Sequence, residues 1–249
     1  MSLPGTGPLG QITTLKQAMV SPEVARGRAV RRVLVINAKG GCGKSTIATN
    51  LASYYASQGR HACLLDYDPQ GSSMQWLTLR GEQNFPIHGL AAFRKSVAVT
   101  TRTWQMRMPA ETERLILDAP AGIHGMQLID LVREADTILV PVLPSPIDIH
   151  AASHVIRDLL LVAKVRSRAI RVGVVANRVR KNAKVYQSLR RFLDSLNIPF
   201  VGYLRDTQNY IQSAEDGLGV FEWRGNRVEQ DRRQWQALIQ WIESDQAHP

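Results

Sequence analysis

Lys39 and Lys44 bracket glycines at positions 40, 41 and 43, and the second lysine is followed by the hydroxyls of Ser45 and Thr46. Glycines let backbone N–H groups curl round an anion without Cβ clashes, and a helix opening at Lys44 adds the positive end of its dipole. Such a loop is suited to the phosphates of a nucleoside triphosphate. Lys44 would neutralise the β- and γ-phosphates, and the Ser45 hydroxyl would be a ligand for Mg²⁺. Cys42 is read as a small filler of the loop, not a nucleophile, although a helix N-terminus can lower a thiol pKa. Carboxylates follow two short apolar runs: Asp66 and Asp68 after Leu64-Leu65, and Asp118 after Leu115-Ile116-Leu117. At the carboxyl edge of a parallel sheet, acids in such places stand where ligands bind.

The elements that must hold these residues are legible as alternating runs. Short apolar, β-branched runs at 33–36, 62–65, 115–117, 137–142, 172–175 and 200–204 have the character of buried parallel strands. Helical segments are predicted at 45–58, 149–165 and 183–196, and an amphipathic helix at about 227–244 closes the chain. This alternation predicts an α/β fold, a doubly wound and mostly parallel sheet flanked by helices. Residues 1–30, rich in Pro and Gly at the start, are predicted to be a poorly ordered arm with one short helix around 14–19; 31–249 form a single domain. No run reaches the roughly 18 apolar residues of a membrane span and no secretory signal opens the chain, so the expected compartment is the cytoplasm. Cys42 and Cys63 are too few for a disulfide framework or a structural zinc site and are read as reduced.

The loop departs from the common phosphate-loop pattern, which has its first glycine where this chain has Ala38, and it carries Lys39 directly before Gly40. The run Lys39-Gly40-Gly41-Cys42-Gly43-Lys44-Ser45-Thr46 resembles the deviant Walker A element of the ParA/MinD ATPases. That resemblance extends over roughly 32–241, and what it implies is a P-loop ATPase with weak intrinsic hydrolysis of ATP, using Mg²⁺. By resemblance, Lys39 reaches across a dimer interface to the phosphates of the partner's nucleotide. The segment 64–73 looks like the family's switch, in which Asp68 orients or activates the attacking water and Asp66 supports the Mg²⁺ shell or the interface. The segment 115–122 resembles a Walker B element, with Asp118 holding a water on Mg²⁺. At the end of 174–178, Asn177 takes the place of the amide that hydrogen-bonds the adenine edge, with Arg178 beside it. The later segment 204–221 is similar to the one that lines the base and carries switching contacts.

Charge adds a second line of inference. Of the net +10, all is contributed by 157–191, which holds eleven Lys and Arg against Asp158 alone. A local excess of this size points to a polyanion, or else to a solvated basic face. Together with the resemblance it implies a homodimer with ATP that sits on nucleoid DNA without sequence preference, with Lys181, Lys184, Arg190 and Arg191 as contacts. A cargo-adaptor protein would stimulate hydrolysis. The cargo could be a plasmid, a chromosome, a chemosensory array or, as in the McdA-like branch, a carboxysome. Two alternatives stay open. A MinD-like membrane-associated protein would use the closing helix, whose stripe Trp235, Leu238, Ile239, Trp241 and Ile242 is followed by acids and not by lysines; packing on the core is the favoured reading, and no membrane is expected. An ATP-dependent metabolic enzyme on the same scaffold would need a second substrate motif, and none is found. His124, His150 and His154 are read as solvated or capping side chains, and Trp104, Met106 and Met108 as core or interface filler.

Overall fold

The computed structural model describes residues 30–93, 108–180, 184–195 and 197–244, with the backbone alone at 184–186 and 188. Seven parallel strands, β1 (Arg31–Val35), β2 (Ala62–Asp66), β3 (Ile87–Ala91), β4 (Arg114–Asp118), β5 (Thr137–Val142), β6 (Arg171–Val179) and β7 (Phe200–Arg205), form one sheet in the order β3-β2-β4-β1-β5-β6-β7. Seven α-helices among the described residues flank it: α1 (Lys44–Ser57), α2 (Ser72–Leu79), α3 (Gly125–Arg133), α4 (Pro146–Leu161), α5 (Lys184–Ser195), α6 (Asn209–Glu215) and α7 (Glu229–Glu243).

Successive strand residues face opposite layers. Leu34, Leu115, Leu117, Ile138, Val140 and Val174 pack towards α3, α4 and α5, while Val33, Val35, Leu64, Ile116, Leu139 and Val175 pack towards α1, α2 and α7. Because both faces are covered, the five inner strands are nearly continuously apolar and not alternating. Each Leu or Ile so buried contributes on the order of 2 kcal/mol.

The closing helix α7 spends its apolar stripe on this core: Trp235, Leu238, Ile239 and Ile242 are buried. Its end is fastened by Arg171, whose guanidinium donates to the Ile242 and Ser244 carbonyls and lies 4.4 Å from the centre of the Trp241 ring. Gly173 leaves the room for that ring, since a Cβ there would come within 2.7 Å of Trp241 Cη2. No helix among the described residues is long and apolar enough to cross a membrane.

The sheet order carries β1 to the middle, with the chain leaving it on one side towards β2 and returning on the other at β5. The crevice at the carboxyl end of β1 is therefore a topological switch point, where open α/β sheets bind ligands. Four elements were absent from the sequence reading. Edge strand β3 is the half-exposed run Ile87-His88-Gly89-Leu90-Ala91, with little β-propensity, and α2, α3 and α6 are each of nine residues or fewer. Helix α4 opens at Pro146, ahead of the expected 149, and stops at Leu161, where 165 was expected. Its cap explains the start: Ser145 accepts the Asp148 N–H and Pro146 occupies the first turn, where its missing N–H costs nothing. The expected helix at 14–19, Trp104, Met106, Lys181 and all of the expected arm 1–30 except Val30 lie outside the described residues.

Candidate functional site

The glycine loop spans the end of β1 and the start of α1, and the amides of Asn37, at its entry, and Asn177, from β6, hold it. Asn37 donates its amide to the Pro141 carbonyl (2.7 Å) and accepts the Lys39 N–H (3.1 Å), pinning the entry of the loop to β5. Asn177, buried at the end of β6, donates Nδ2 to the Cys42 carbonyl at 2.8 Å and accepts the Arg178 N–H. Gly43 has φ 95°, and a Cβ on it would sit 2.0 Å from Asn177 Nδ2. A glycine is therefore required twice over, by the left-handed backbone and by the amide pressed against it. Asn177, expected at an adenine edge, has one hydrogen on its amide nitrogen beyond the bond to the loop.

The two lysines of the loop are placed differently. Lys44 is 6% exposed and turns inward, its ammonium donating to the Lys39 carbonyl at 3.2 Å. Lys39 stands at the rim, its side chain 36% exposed, and its ammonium forms an ion pair with Asp148 in the first turn of α4. Asp148 also accepts the Ser145 hydroxyl. The sequence reading missed Asp148, although Ser145, Pro146 and Asp148 together are an N-terminal capping signature that places this acid at the carboxyl edge of β5. Around Gly40 and Gly41 there is open space where a Cβ would be. Cys42 is buried, with its thiol against the Lys39 carbonyl, and burial raises its pKa more than nearby Lys44 lowers it. The thiol is thus not an activated one.

Asp66 and Asp118 are register partners on adjacent strands β2 and β4, and both are fully buried. Asp66 is occupied by backbone: one oxygen accepts the Asp68 N–H (2.9 Å), the other the N–H groups of Ser73 and Met74 (3.1 Å each) at the start of α2. It shapes the turn that presents Asp68. Asp68 is half-buried; Oδ1 accepts the Gln70 N–H, and Oδ2 lies 3.3 Å from the Ala121 N–H, beyond β4. Asp118 accepts the Ser73 hydroxyl on Oδ2 at 2.7 Å, while Oδ1 has no hydrogen-bond partner among the described residues. Burial pushes its pKa up to about 6, against the pull of the Ser73 and Ser45 hydroxyls and Lys44.

The structure thus brings Lys39, Gly40, Gly41, Cys42, Gly43, Lys44, Ser45, Asp118, Asp66, Asp68 and Asn177 to one crevice, with the half-buried Thr46 in the first turn of α1. A buried carboxylate oxygen lacking a partner, beside a helix-opening hydroxyl, fits a hydrated divalent cation. Arg178 is in the left-handed region (φ 54°) and its guanidinium reaches Asp206 at 3.4 Å, where Arg180 also binds at 3.0 Å. Arg190 and Arg191 are exposed on α5, whose residue Lys184 is described by its backbone alone. His150 and His154 are exposed, their Nε2 atoms 3.2 Å apart. No group of three or more metal-binding side chains occurs among the described residues.

Residues 33–220 match the CobQ/CobB/MinD/ParA nucleotide binding domain. A protein of Gloeobacter kilaueensis named "Maintenance of carboxysome distribution protein A" is 26% identical over 219 residues, covering 86% of this chain and 95% of its own. Among solved structures, Cyanothece McdA in complex with ATP superposes with a TM-score of 0.63 at 16% identity, over 86% of this chain and 98% of that one. The septum site-determining protein MinD of Pyrococcus horikoshii, complexed with Mg-ADP, does so at 0.60 and 14%, over 87% and 97%. At these identities the structural matches show a shared fold.

Proposed function

The chain belongs to the CobQ/CobB/MinD/ParA nucleotide-binding family, and from that premise we propose that it is an ATPase of the ParA/MinD kind. In this reading two copies pair around ATP, bind nucleoid DNA without sequence preference while paired, and distribute a cellular cargo until an adaptor protein triggers hydrolysis. The observation that carries the reading is the separation of the two loop lysines. Lys44 is buried within the loop, where it serves the chain's own nucleotide, whereas Lys39 stands at the rim on an ion pair that can be exchanged. A cation arriving from a second copy stabilises phosphate charge only once the copies have met, which ties dimerisation to the nucleotide.

Each remaining residue has a part. The amides of 40–46 and Lys44 hold the phosphates; Asp68 orients the attacking water; Asn177, through its remaining amide hydrogen, and Arg178 contact the base. Ser45 and Asp118, the latter through a water on Oδ1, would hold Mg²⁺, with Asp66 supporting that shell from behind. When bound, Mg²⁺ supplies positive charge to the phosphate oxygens. Exposed Met126 and Ile147 open α3 and α4, the helices following the strands on either side of β1, and an apolar rim beside the crevice favours contact with a second copy. Lys181, Lys184, Arg190 and Arg191 are assigned to DNA, which gives a cytoplasmic protein on the nucleoid. The carboxysome name of a relative matched over nearly its whole length supports a protein microcompartment as the cargo.

The test is release of phosphate from ATP by the purified chain, with Mg²⁺ and with or without duplex DNA. The reading expects slow turnover that Lys44→Ala abolishes. Tight ATP binding with no turnover above the Lys44→Ala background, under every condition, would contradict it.

A further inference from the structure

Ser73 is fully buried and bonded to both strand-end carboxylates. Its N–H donates to Asp66 Oδ2 at 3.1 Å and its hydroxyl to Asp118 Oδ2 at 2.7 Å. It is the second residue of α2, the helix that begins where the 66–71 turn ends. We propose that Ser73 is a positioning residue for the divalent cation: it occupies one oxygen of Asp118, fixes the carboxylate rotamer, and leaves Oδ1 as the oxygen that faces the metal's water shell.

Three features carry the inference. A carboxylate has two equivalent oxygens, and a buried donor on one of them removes the choice. The oxygen left over is the one with no hydrogen-bond partner among the described residues. The donor is itself held by backbone, because Asp66 accepts both the Ser73 and the Met74 N–H groups, so the hydroxyl is presented from a fixed helix end. A second link ties the same turn to the loop just after β4, through Asp68 and the Ala121 N–H. The turn that carries Asp68 is therefore tied both to the Asp118 carboxylate and to the loop that follows it. Outer-shell groups such as Asp118 commonly govern metal affinity by about 10- to 100-fold, and Ser73, acting through Asp118, belongs at the low end of that range.

The inference rests on reading Asp118 as the carboxylate behind Mg²⁺, and the experiment separates the two. Mn²⁺ would be titrated, by electron paramagnetic resonance, into the full chain with ADP, and ADP affinity would be measured separately in EDTA. For Ser73→Ala the expected result is Mn²⁺ affinity lowered about tenfold, with ADP affinity in EDTA within about twofold of wild type. Ser73→Cys, which keeps a weaker donor of similar size, should fall between. Asp118→Asn should lose Mn²⁺ affinity at least as far as Ser73→Ala. If Asp118→Asn weakens the metal and Ser73→Ala does not, the positioning role is overturned while the Mg²⁺ assignment stands. Equal losses of Mn²⁺ and metal-free ADP affinity in Ser73→Ala would likewise overturn it, as a merely structural defect. If Asp118→Asn binds Mn²⁺ like wild type, the Mg²⁺ assignment falls and the inference falls with it.

Discussion

At the scale of single residues, the crevice separates groups that bind from groups that act. Asp68 is half-buried at the tip of a turn, and its carboxylate accepts the Gln70 and Ala121 N–H groups, neither of them in the glycine loop, so Asp68→Ala should leave ATP affinity within about threefold while slowing single-turnover hydrolysis by about 100-fold or more. Hydrolysis at the wild-type rate would remove it from the chemistry. Asp118 carries a pH signature. Its folded pKa of about 6 lies above the ordinary 3.8, so the native chain holds this proton more tightly than the unfolded chain does. Stability from this group is thus greatest below about pH 4, falls as pH rises to 6, and is missing by up to about 3 kcal/mol above that. Asp118→Asn should therefore stabilise the nucleotide-free protein at pH 7.5 by about 1–3 kcal/mol, an advantage that vanishes towards pH 4, as urea melts in EDTA would record. The lysines, the acids at strand ends and Asn177 were all legible in the sequence because each sits at a fixed offset from an apolar run. The capping signature marks the place of Asp148 but not its pairing with an ammonium 109 positions away, and nothing local marks Ser73, whose partner is a carboxylate 45 positions away.

At the scale of elements, strands covered on both faces announce themselves as apolar runs, and six of the seven were read in that way. Strand β3 escaped because His88 and Gly89 break its run, whereas β7, also an edge, is marked by Phe200, Val201, Tyr203 and Leu204. Helix α2 escaped because its eight residues are held by contacts, not by propensity: Trp76 donates to the Leu218 carbonyl, and Arg80, just past its end, is buried on Glu222. Arg80 also donates to the carbonyls of Phe85 and Gly217, and Glu222 accepts the Ser53 hydroxyl and the Gly219 N–H. Removing one partner strands the other charge in the interior. Arg80→Ala should cost about 3–5 kcal/mol, and the double change Arg80→Met with Glu222→Leu should recover only part of it, because the Gly217 carbonyl, the Ser53 hydroxyl and the Gly219 N–H lose their partners. A loss under about 1 kcal/mol in denaturant melts would mean that the pair is not what holds α2.

At the scale of the whole molecule, the basic stretch read from the sequence is divided by the fold. Arg171 is consumed by the end of α7, and Arg178 and Arg180 share Asp206, whereas Arg190 and Arg191 lie exposed on α5. Their joint change to Glu should abolish retention on duplex DNA at low salt and leave ATP binding and pairing intact, because two modest patches grip one duplex only when the copies are joined. Wild-type retention by that variant would make α5 a solvated face. The central claim is that ATP joins two copies through Lys39, and sedimentation velocity of wild type and Lys39→Ala, each with Mg²⁺ and a non-hydrolysable ATP analogue, tests it most directly. The account predicts a dimer for wild type and a monomer that still binds the analogue for Lys39→Ala. A Lys39→Ala chain that dimerises with the analogue as wild type does, or a wild type that stays monomeric when saturated with it, would contradict the claim.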